Sequence, residues 1–476
     1  MHWRYCELLA GAVASFATAS LGCTIAWPSP VFPKLVDPEL TDNPFGEVLM
    51  ASAQTWTDSA PAIGGIGGPL LASWIADRKG RRLALLLSTV LYIVVWLLFM
   101  IVRSVPLLIV ARTLGGFANG YVLLAATLYI GEIASDQYRG ALGCYLQIGT
   151  TFGILYVYCL GPFVSYLALQ GLCCVLSILF GTLFLYMPET PHHLIAQGHL
   201  RRASETLMFL RGRRHIAEVH EELEELKQYV LQSPDPDGSA PEQTVSRWGP
   251  FRRLKQLFRT SANRRALAIS LGVVVCQQWT GIDGILSSSE LIFGKAGMAL
   301  DAVYSTVVLG AVQFFCSCLS PLFIDRFGRR PILLLTSAGL AIALAALGAY
   351  FLLERHGVVP LRTIGWMPLA ASLLFVALYN AGFGPVAWAL VMELFAHDVK
   401  PLGLSLAVSC LLLCDFLVLR LFAYISESFG FDRAFWMLAI ACVLGFAFCW
   451  WAVIETRGLT LYAIQERLSA VKVIRL

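Results

Sequence analysis

The strongest constraint on this chain is a series of twelve apolar runs, each long enough to cross a membrane. About 20 helical residues span a hydrocarbon layer of about 30 Å, and helices pair their backbone groups internally. Of 476 residues, 57% are hydrophobic and 14% are charged, which excludes an ordinary soluble enzyme or a nucleic-acid binder. We therefore predict an all-α membrane protein. The runs cover residues 6–27, 57–76, 83–102, 107–131, 140–161, 167–187, 267–291, 302–324, 332–353, 366–392, 402–425 and 434–454.

A polar segment divides the runs six and six. It predicts an N-terminal six-helix bundle at 1–187, a cytosolic loop at 188–266, a C-terminal bundle at 267–454 and a cytosolic tail at 455–476. Within the loop, residues 233–241 have the composition of a linker. Five apolar residues at helical spacing predict a short amphipathic helix there: Ile216, Val219, Leu223, Leu226 and Val230.

The distribution of basic residues predicts the orientation. With both termini in the cytosol, 27 of the 35 Lys and Arg residues fall on the inner side and two fall within spans. The outer loops hold the other six: Lys34, Arg103, Lys295, Arg355, Arg362 and Arg433. Because cytosolic loops carry the excess of Lys and Arg, we expect cytosolic termini, with the plasma membrane as the default location.

Charged motifs recur in the same order in both halves. DRKGRR at 77–82 returns as DRFGRR at 325–330, and MPET at 187–190 returns as VIET at 453–456. Glu132 and Arg139 are seven residues apart, as are Glu393 and Lys400. Such a repeat predicts two pseudo-symmetric bundles related by an axis along the membrane normal.

We expect these charges to pair across the two halves and to hold them together on the cytosolic side. Fixed charges that only keep the loops inside are the alternative. Arg81 and Arg329 belong to the same motifs. The predicted gate residues are Asp77, Arg78, Arg82, Glu132, Arg139, Glu189, Asp325, Arg326, Arg330, Glu393, Lys400 and Glu455.

Taken together, these strings resemble the sugar-porter branch of the major facilitator superfamily, over nearly the whole chain. Further matching strings are YIGEIASDQYRGALG at 129–143, PETPHHL at 188–194, QQWTGIDGI at 277–285, GFGPVAWALVMELF at 382–395 and ETRGLTL at 455–461. The start WPSPVFPKL at 27–35 looks like that of insect facilitated trehalose transporters. The resemblance implies two bundles that rock around a central sugar site.

The resemblance also implies the residues of that site. Gln147, Gln277 and Gln278 match the glutamines with which the family binds sugar hydroxyls, and Trp388 matches a tryptophan that stacks on the sugar ring. Gln313 and Asn380 stand where the family places other polar ligands. An amide both donates and accepts hydrogen bonds, as a sugar hydroxyl does. The alternative is that these amides join helices by interhelical hydrogen bonds.

Several positions depart from the family pattern. Asp283 replaces an asparagine, and its carboxylate within a span either accepts from a sugar hydroxyl or carries a proton. Asp415 is expected to pair with Arg420. Other departures are Ser287 and Ser288 in place of aromatic residues, Leu411 in place of a polar residue and His192 in place of an arginine.

We predict a facilitative transporter of a neutral sugar, trehalose or a hexose, working by alternating access. A proton–sugar symporter that uses Asp283 and a sugar sensor without transport remain alternatives. No enzyme motif, nucleotide-binding motif or metal-ligand spacing is present in the sequence, so no catalysis, cofactor or metal is expected. The expected partners are the sugar and the lipid bilayer, and a monomer is expected to suffice.

Overall fold

A computed structural model describes residues 6–36, 43–44, 49–135, 137–213, 215–231, 257–287, 289, 302–356, 365–395, 399–459 and 461–470. Every regular element in these ranges is helical. The predicted linker at 233–241 and Ser288 lie outside the described residues, as do the side chains of Ser287 and Asp325.

The first half and the short helices that follow it comprise α1 to α12. Their bounds are Cys6–Ser15, Ala17–Ala26, Pro28–Val36, Ala51–Gly65, Gly68–Lys79, Arg81–Ile101, Val105–Ile133, Arg139–Leu160, Tyr166–Phe184, Pro191–Ala196, Leu200–Arg211 and His220–Leu231. The second half comprises α13 to α21. Their bounds are Ser261–Gln278, Ile282–Ser287, Ala302–Phe327, Arg329–His356, Met367–Leu378, Gly384–Leu394, Lys400–Ser428, Phe431–Ala452 and Leu461–Ala470.

Eleven helical segments within the described residues are long and apolar enough to cross a membrane. The one predicted span missing from these eleven is the second along the chain, at 57–76, where the helix is divided into α4 and α5. Pro69 lies in the first turn of α5, where a missing N–H costs no helical hydrogen bond. A short break therefore replaces one continuous helix. The outward faces of the spans expose large apolar side chains, including Ile101, Val110 and Leu444, as lipid contact requires.

Glycines allow α4 and α5 to pack directly on the backbone of α7. A Cβ at Gly64 would lie 1.9 Å from the carbonyl oxygen of Thr113, and one at Gly68 would lie 2.2 Å from that of Phe117. On α7, a Cβ at Gly116 would lie 1.8 Å from the carbonyl oxygen of Pro61. These glycines therefore serve close helix packing, as small residues do in membrane proteins.

A π-helical turn at Tyr379–Phe383 interrupts the tenth span between α17 and α18. Such turns interrupt the regular helical ladder and are frequent at functional sites. Here the turn carries Tyr379 and Asn380, both of which hydrogen-bond to glutamines of the candidate site.

The polar segment after the sixth span folds into the short helices α10, α11 and α12. Their apolar cluster includes Leu207, Val219 and Leu223, so α12 carries part of the predicted apolar stripe. Arg211 fastens this unit to the first half, since its guanidinium donates to Glu7 at 2.7 Å and to Glu222 at 2.6 Å.

The two halves meet along helices of both bundles, including the short helix α14. From the first half, α8 packs on α15 and α18; from the second half, α19 packs on α4, α5 and α7. Helix α14 contacts α2 and α3. These contacts therefore frame the space between the halves.

Candidate functional site

A cavity of about 120 Å³ lies between the two halves. It is lined by five of the predicted site residues from the second half, Gln277, Gln278, Asp283, Gln313 and Trp388, and by Gln147 from the first half. The glutamines therefore face one shared space, and their role in binding sugar stays a prediction. Thr24 and Leu411 also line the wall.

Asn380 is the one predicted site residue that does not reach the cavity wall. Its side chain is fully buried and accepts a hydrogen bond from Gln147 Nε2 at 2.8 Å and one from Ser317 Oγ at 3.3 Å. Its own amide nitrogen donates to the carbonyl oxygen of Val376, which fixes the orientation of the amide. Asn380 thus positions Gln147 across the boundary between the halves.

Protein acceptors also orient the other glutamine amides. Gln277 Nε2 donates to the hydroxyl of Tyr379 at 3.1 Å and to the carbonyl oxygen of Gly384 at 3.3 Å, and Gln278 Nε2 donates to Asp283 at 2.9 Å. In contrast, the buried Oε1 atoms of Gln277 and Gln313 have no hydrogen-bond partner within the part of the chain that the structure describes. A buried polar atom without a partner costs free energy, so this wall is suited to a ligand that donates hydrogen bonds.

Four charged residues line the same cavity. Arg112 Nη2 lies 3.8 Å from Asp58, while its Nε and Nη1 donate to the carbonyl oxygens of Thr57 and Thr24. The carboxyl groups of Asp283 and Asp415, which lie on different helices, interact with each other.

The predicted pairing of Asp415 with Arg420 is wrong. The Arg420 guanidinium lies over the Trp56 ring, 4.4 Å from the ring centroid. Five residues of an α-helix rotate a side chain by about 140° from its starting direction, so the two side chains point to different neighbours. The prediction missed three residues of this region: Tyr379, Asp58 and Arg112. Asp58 and Arg112 are charged residues within predicted spans, which is a signal that could have identified them.

The repeated charged motifs build the same network in both halves, on the side of the molecule where α1 begins. In the first half, Arg81 donates to Glu132 at 2.9 Å, and Glu132 accepts from Thr190 at 2.6 Å. In the second half, Arg329 donates to Glu393 at 2.9 Å, and Glu393 accepts from Thr456 at 2.6 Å. All four charged side chains are buried. Asp77 adds a weaker contact to Arg81 at 3.8 Å.

Two further carboxylates cap the N-termini of the helices that form the third and ninth spans. Glu189 accepts from the backbone N–H groups of Arg81 and Arg82, and Glu455 accepts from those of Arg329 and Arg330. An acid at a helix N-terminus satisfies free N–H groups and the helix dipole.

These capping contacts require glycine at the preceding turns. Gly80 has φ +102°, and a Cβ there would lie 2.1 Å from Glu189 Oε2. We expect Gly80→Ala to lower the free energy of unfolding by about 2–3 kcal/mol because it combines backbone strain with loss of the cap. Thermal unfolding in detergent measures this. Gly198→Ala is the matched control, since Gly198 has φ +79° and open space around it; equal losses would contradict the role of the cap.

The ion pairs Arg81–Glu132 and Arg329–Glu393 each lie within one half, so these two pairs do not have the predicted partners across the halves, and the gate as a whole stays a prediction. Arg78 lies over the Trp74 ring, and Arg326 is exposed. Arg82 and Arg330 donate to the carbonyl oxygens of Leu185 and Trp450 at the ends of the sixth and twelfth spans. The motifs thus tie neighbouring spans of one half together, since their helices end side by side.

Contacts between the halves on this side involve small residues and one lysine. Lys400 Nζ would lie 3.4 Å from a Cβ at Gly131, and Lys400 faces Glu132 and Arg139. Deeper between the halves, a Cβ at Gly143 would lie 3.1 Å from Met392 Cε. Beyond the cavity, on the opposite side, Tyr158 donates to the carbonyl oxygen of Leu286 at 2.8 Å. The halves therefore touch on both sides of the cavity.

His193 is a neutral member of the first-half network. Its Nδ1 accepts from Arg81 Nη1 at 2.9 Å. Burial, followed by the nearby Arg81 charge, lowers the pKa of His193 from 6.5 to about 4. Burial likewise lowers the pKa of its neighbour His192 to about 4. Both histidines are therefore uncharged at neutral pH.

A pH-dependent stability follows from His193. Between pH 6.5 and about 4 the unfolded chain binds a proton that the folded chain excludes, so stability falls as the pH falls through this window. The difference in pKa corresponds to about 3 kcal/mol at most. We expect His193→Asn, whose Oδ1 replaces Nδ1, to lose less melting temperature between pH 7 and pH 5 than the unsubstituted protein. The exposed His199→Asn control should keep the full loss; equal losses in the two variants would contradict the assignment.

Fold and site together define a multi-pass membrane protein with a small-molecule cavity between two similar halves. The chain belongs to the sugar transporter family: the model described as "Sugar (and other) transporter" matches residues 6–468. The chain is 30% identical over 464 residues to the facilitated trehalose transporter Tret1 of Culex quinquefasciatus, covering 98% of this chain and 86% of that protein. It is 29% identical to Tret1 of Aedes aegypti, of which it spans 55%.

The fold is that of the major facilitator superfamily. The solved structure of the proton:xylose symporter XylE bound to 6-bromo-6-deoxy-D-glucose superposes with a TM-score of 0.77 at 23% identity, covering 98% of each chain. An inward-open structure of the xylose transporter XylE from E. coli gives 0.71 at 22% identity, covering 97% of this chain and 99% of that one. The prediction of an all-helical membrane protein with the major facilitator fold is confirmed.

Proposed function

We propose that this protein moves a neutral sugar down its concentration gradient by alternating access, with trehalose or a single hexose as substrate. The observation that carries the proposal is the pair of buried amide oxygens without a partner among the described residues, on Gln277 and Gln313, two residues that line a cavity between the halves. Sugar hydroxyls supply the donors that these oxygens lack, and Trp388 offers an aromatic face in the same wall.

The cavity must change shape during transport. Ligand pockets usually measure about 300–1,000 Å³, so a cavity of about 120 Å³ suits a conformation in which the halves are close together. A disaccharide therefore needs the halves to separate. Separation of Tyr158 from Leu286 would open the cavity on one side of the molecule, and separation of Gly143 from Met392 would open it on the other. We further propose that the side carrying Arg81 and Arg329 faces the cytosol of a plasma membrane, with the loop at 188–266 on that side.

Uptake into proteoliposomes tests the proposal. Labelled glucose, fructose and trehalose are offered with and without an imposed pH gradient. Uptake that stops at equal concentrations supports facilitated transport, and sugar binding without uptake contradicts transport and favours a sensor.

Proton symport is a second candidate because two carboxyl groups, those of Asp283 and Asp415, line the cavity, and carboxyl groups within spans serve as proton relays in transporters. Accumulation of sugar driven by external acid, and lost in Asp283→Asn, would support symport. No accumulation under the same gradient would leave facilitated transport.

A further inference from the structure

Asp283 and Asp415 form a contact that a site for a neutral sugar does not require. Asp283 lies on α14 and Asp415 lies on α19, and both side chains line the cavity. The two carboxyl groups interact with each other, and Gln278 Nε2 donates to Asp283 Oδ2 at 2.9 Å. Two acidic side chains thus meet in one part of the cavity wall.

The cations near this pair are engaged elsewhere. Arg112 faces Asp415 from α7, but its guanidinium is hydrogen-bonded to backbone oxygens of α2 and α4 and lies 3.8 Å from Asp58. Arg420 is stacked on Trp56. Among the residues that the structure describes, Asp283 and Asp415 form no ion pair with Lys or Arg. A negative charge at this depth is costly unless a cation balances it.

The neighbouring wall adds hydrogen-bond acceptors. Gln277 and Gln313 are 2% and 1% exposed, and their Oε1 atoms have no partner. The amide nitrogen of Gln277 is already bound to protein acceptors, which fixes Oε1 as the free atom. A protonated amine supplies three donors and no acceptor, and hydrogen bonds that involve charged groups are about twice as strong as neutral ones. Its chemistry therefore fits this wall better than a hydroxyl does.

We propose that the cavity contains a subsite for the ammonium group of an amino sugar, located between Asp283 and Asp415. The positive ammonium balances negative charge on the carboxyl pair, while the remaining hydroxyls bind the glutamine amides. The inference rests on the proposed sugar site and specifies its preferred substrate class. No bond is made or broken, and the amine enters and leaves in its protonated form.

Binding measured by calorimetry on the purified full-length protein tests the subsite. The probes are glucose, 2-amino-2-deoxyglucose and 6-amino-6-deoxyglucose at pH 6.5, where an amine remains mostly protonated. We expect at least one amino sugar to bind about tenfold more tightly than glucose. In Asp415→Asn and in Asp283→Asn that preference should fall to about twofold or less. Glu427→Gln, an exposed acid on the same helix as Asp415, should keep it.

The outcomes separate this inference from the proposed function. If both amino sugars bind the unsubstituted protein no better than glucose, the subsite is overturned, even where glucose is bound and transported. If the preference exists but persists in Asp415→Asn and in Asp283→Asn, the carboxyl pair is not its cause and the assignment is wrong. Failure of all sugars to enter proteoliposomes overturns transport but not the binding preference. A single variant that does not fold leaves the other variant and the unsubstituted protein to decide.

Discussion

Replacing Arg81 with Met lowers the free energy of unfolding by about 3–5 kcal/mol, the cost of leaving one partner of a buried ion pair without the other. Arg81 and Glu132 are 6% and 5% exposed, and 2.9 Å separates their bonded atoms. The substitution removes the guanidinium that donates to Glu132 at 2.9 Å, while the Thr190 hydroxyl and the facing Lys400 stay in place. Thermal and denaturant unfolding of the purified protein in detergent measure the loss.

The control for this substitution lies three residues earlier in the same motif. Arg78 is exposed and lies over the Trp74 ring, so Arg78→Met should cost less than about 1 kcal/mol. The double variant Arg81→Met, Glu132→Gln should recover part of the loss, because no buried charge remains unpaired. An Arg81→Met protein that unfolds like the Arg78→Met protein would show that the buried pair contributes little.

The sequence indicated which charges recur but not which partners they have. The motif spacing placed Arg81 and Arg329 at matching helix starts, and both networks are present. The partners were predicted across the halves, whereas Glu132 and Glu393 bind arginines of their own half. An offset along the chain identifies a repeat, and it holds no information on which helix ends are adjacent within one bundle.

The candidate cavity shows a similar limit. Residue type and family resemblance selected Gln147, Gln277 and Gln278, and all three face one space. Asn380 lies on a π-helical turn and does not reach the cavity wall. The periodicity of a regular helix does not predict the direction of a side chain on such a turn. Asp415 was predicted to pair with Arg420, five residues later in the sequence, whereas it interacts with Asp283 on another helix.

Replacing Gln277 with Ala is expected to weaken sugar binding by about 1–3 kcal/mol, which is roughly a five- to hundredfold rise in Kd. The substitution removes an acceptor that is 2% exposed and has no protein partner. It also releases the hydroxyl of Tyr379, which Gln277 Nε2 holds at 3.1 Å. Calorimetric titration with the sugar that proves to be transported measures the change.

A buried glutamine outside the cavity provides a control that distinguishes an effect on sugar binding from an effect on folding. Gln170 is fully buried in the first half, where its Oε1 accepts from Trp27 at 3.2 Å, and it does not line the cavity. Gln170→Ala should lower the melting temperature but leave the Kd of the folded protein within about twofold, because an altered site and a destabilised bundle are different effects. An unchanged Kd in Gln277→Ala would remove Gln277 from the sugar site, whereas equal rises in both variants would show that packing of the bundle, not contact with the sugar, sets the affinity.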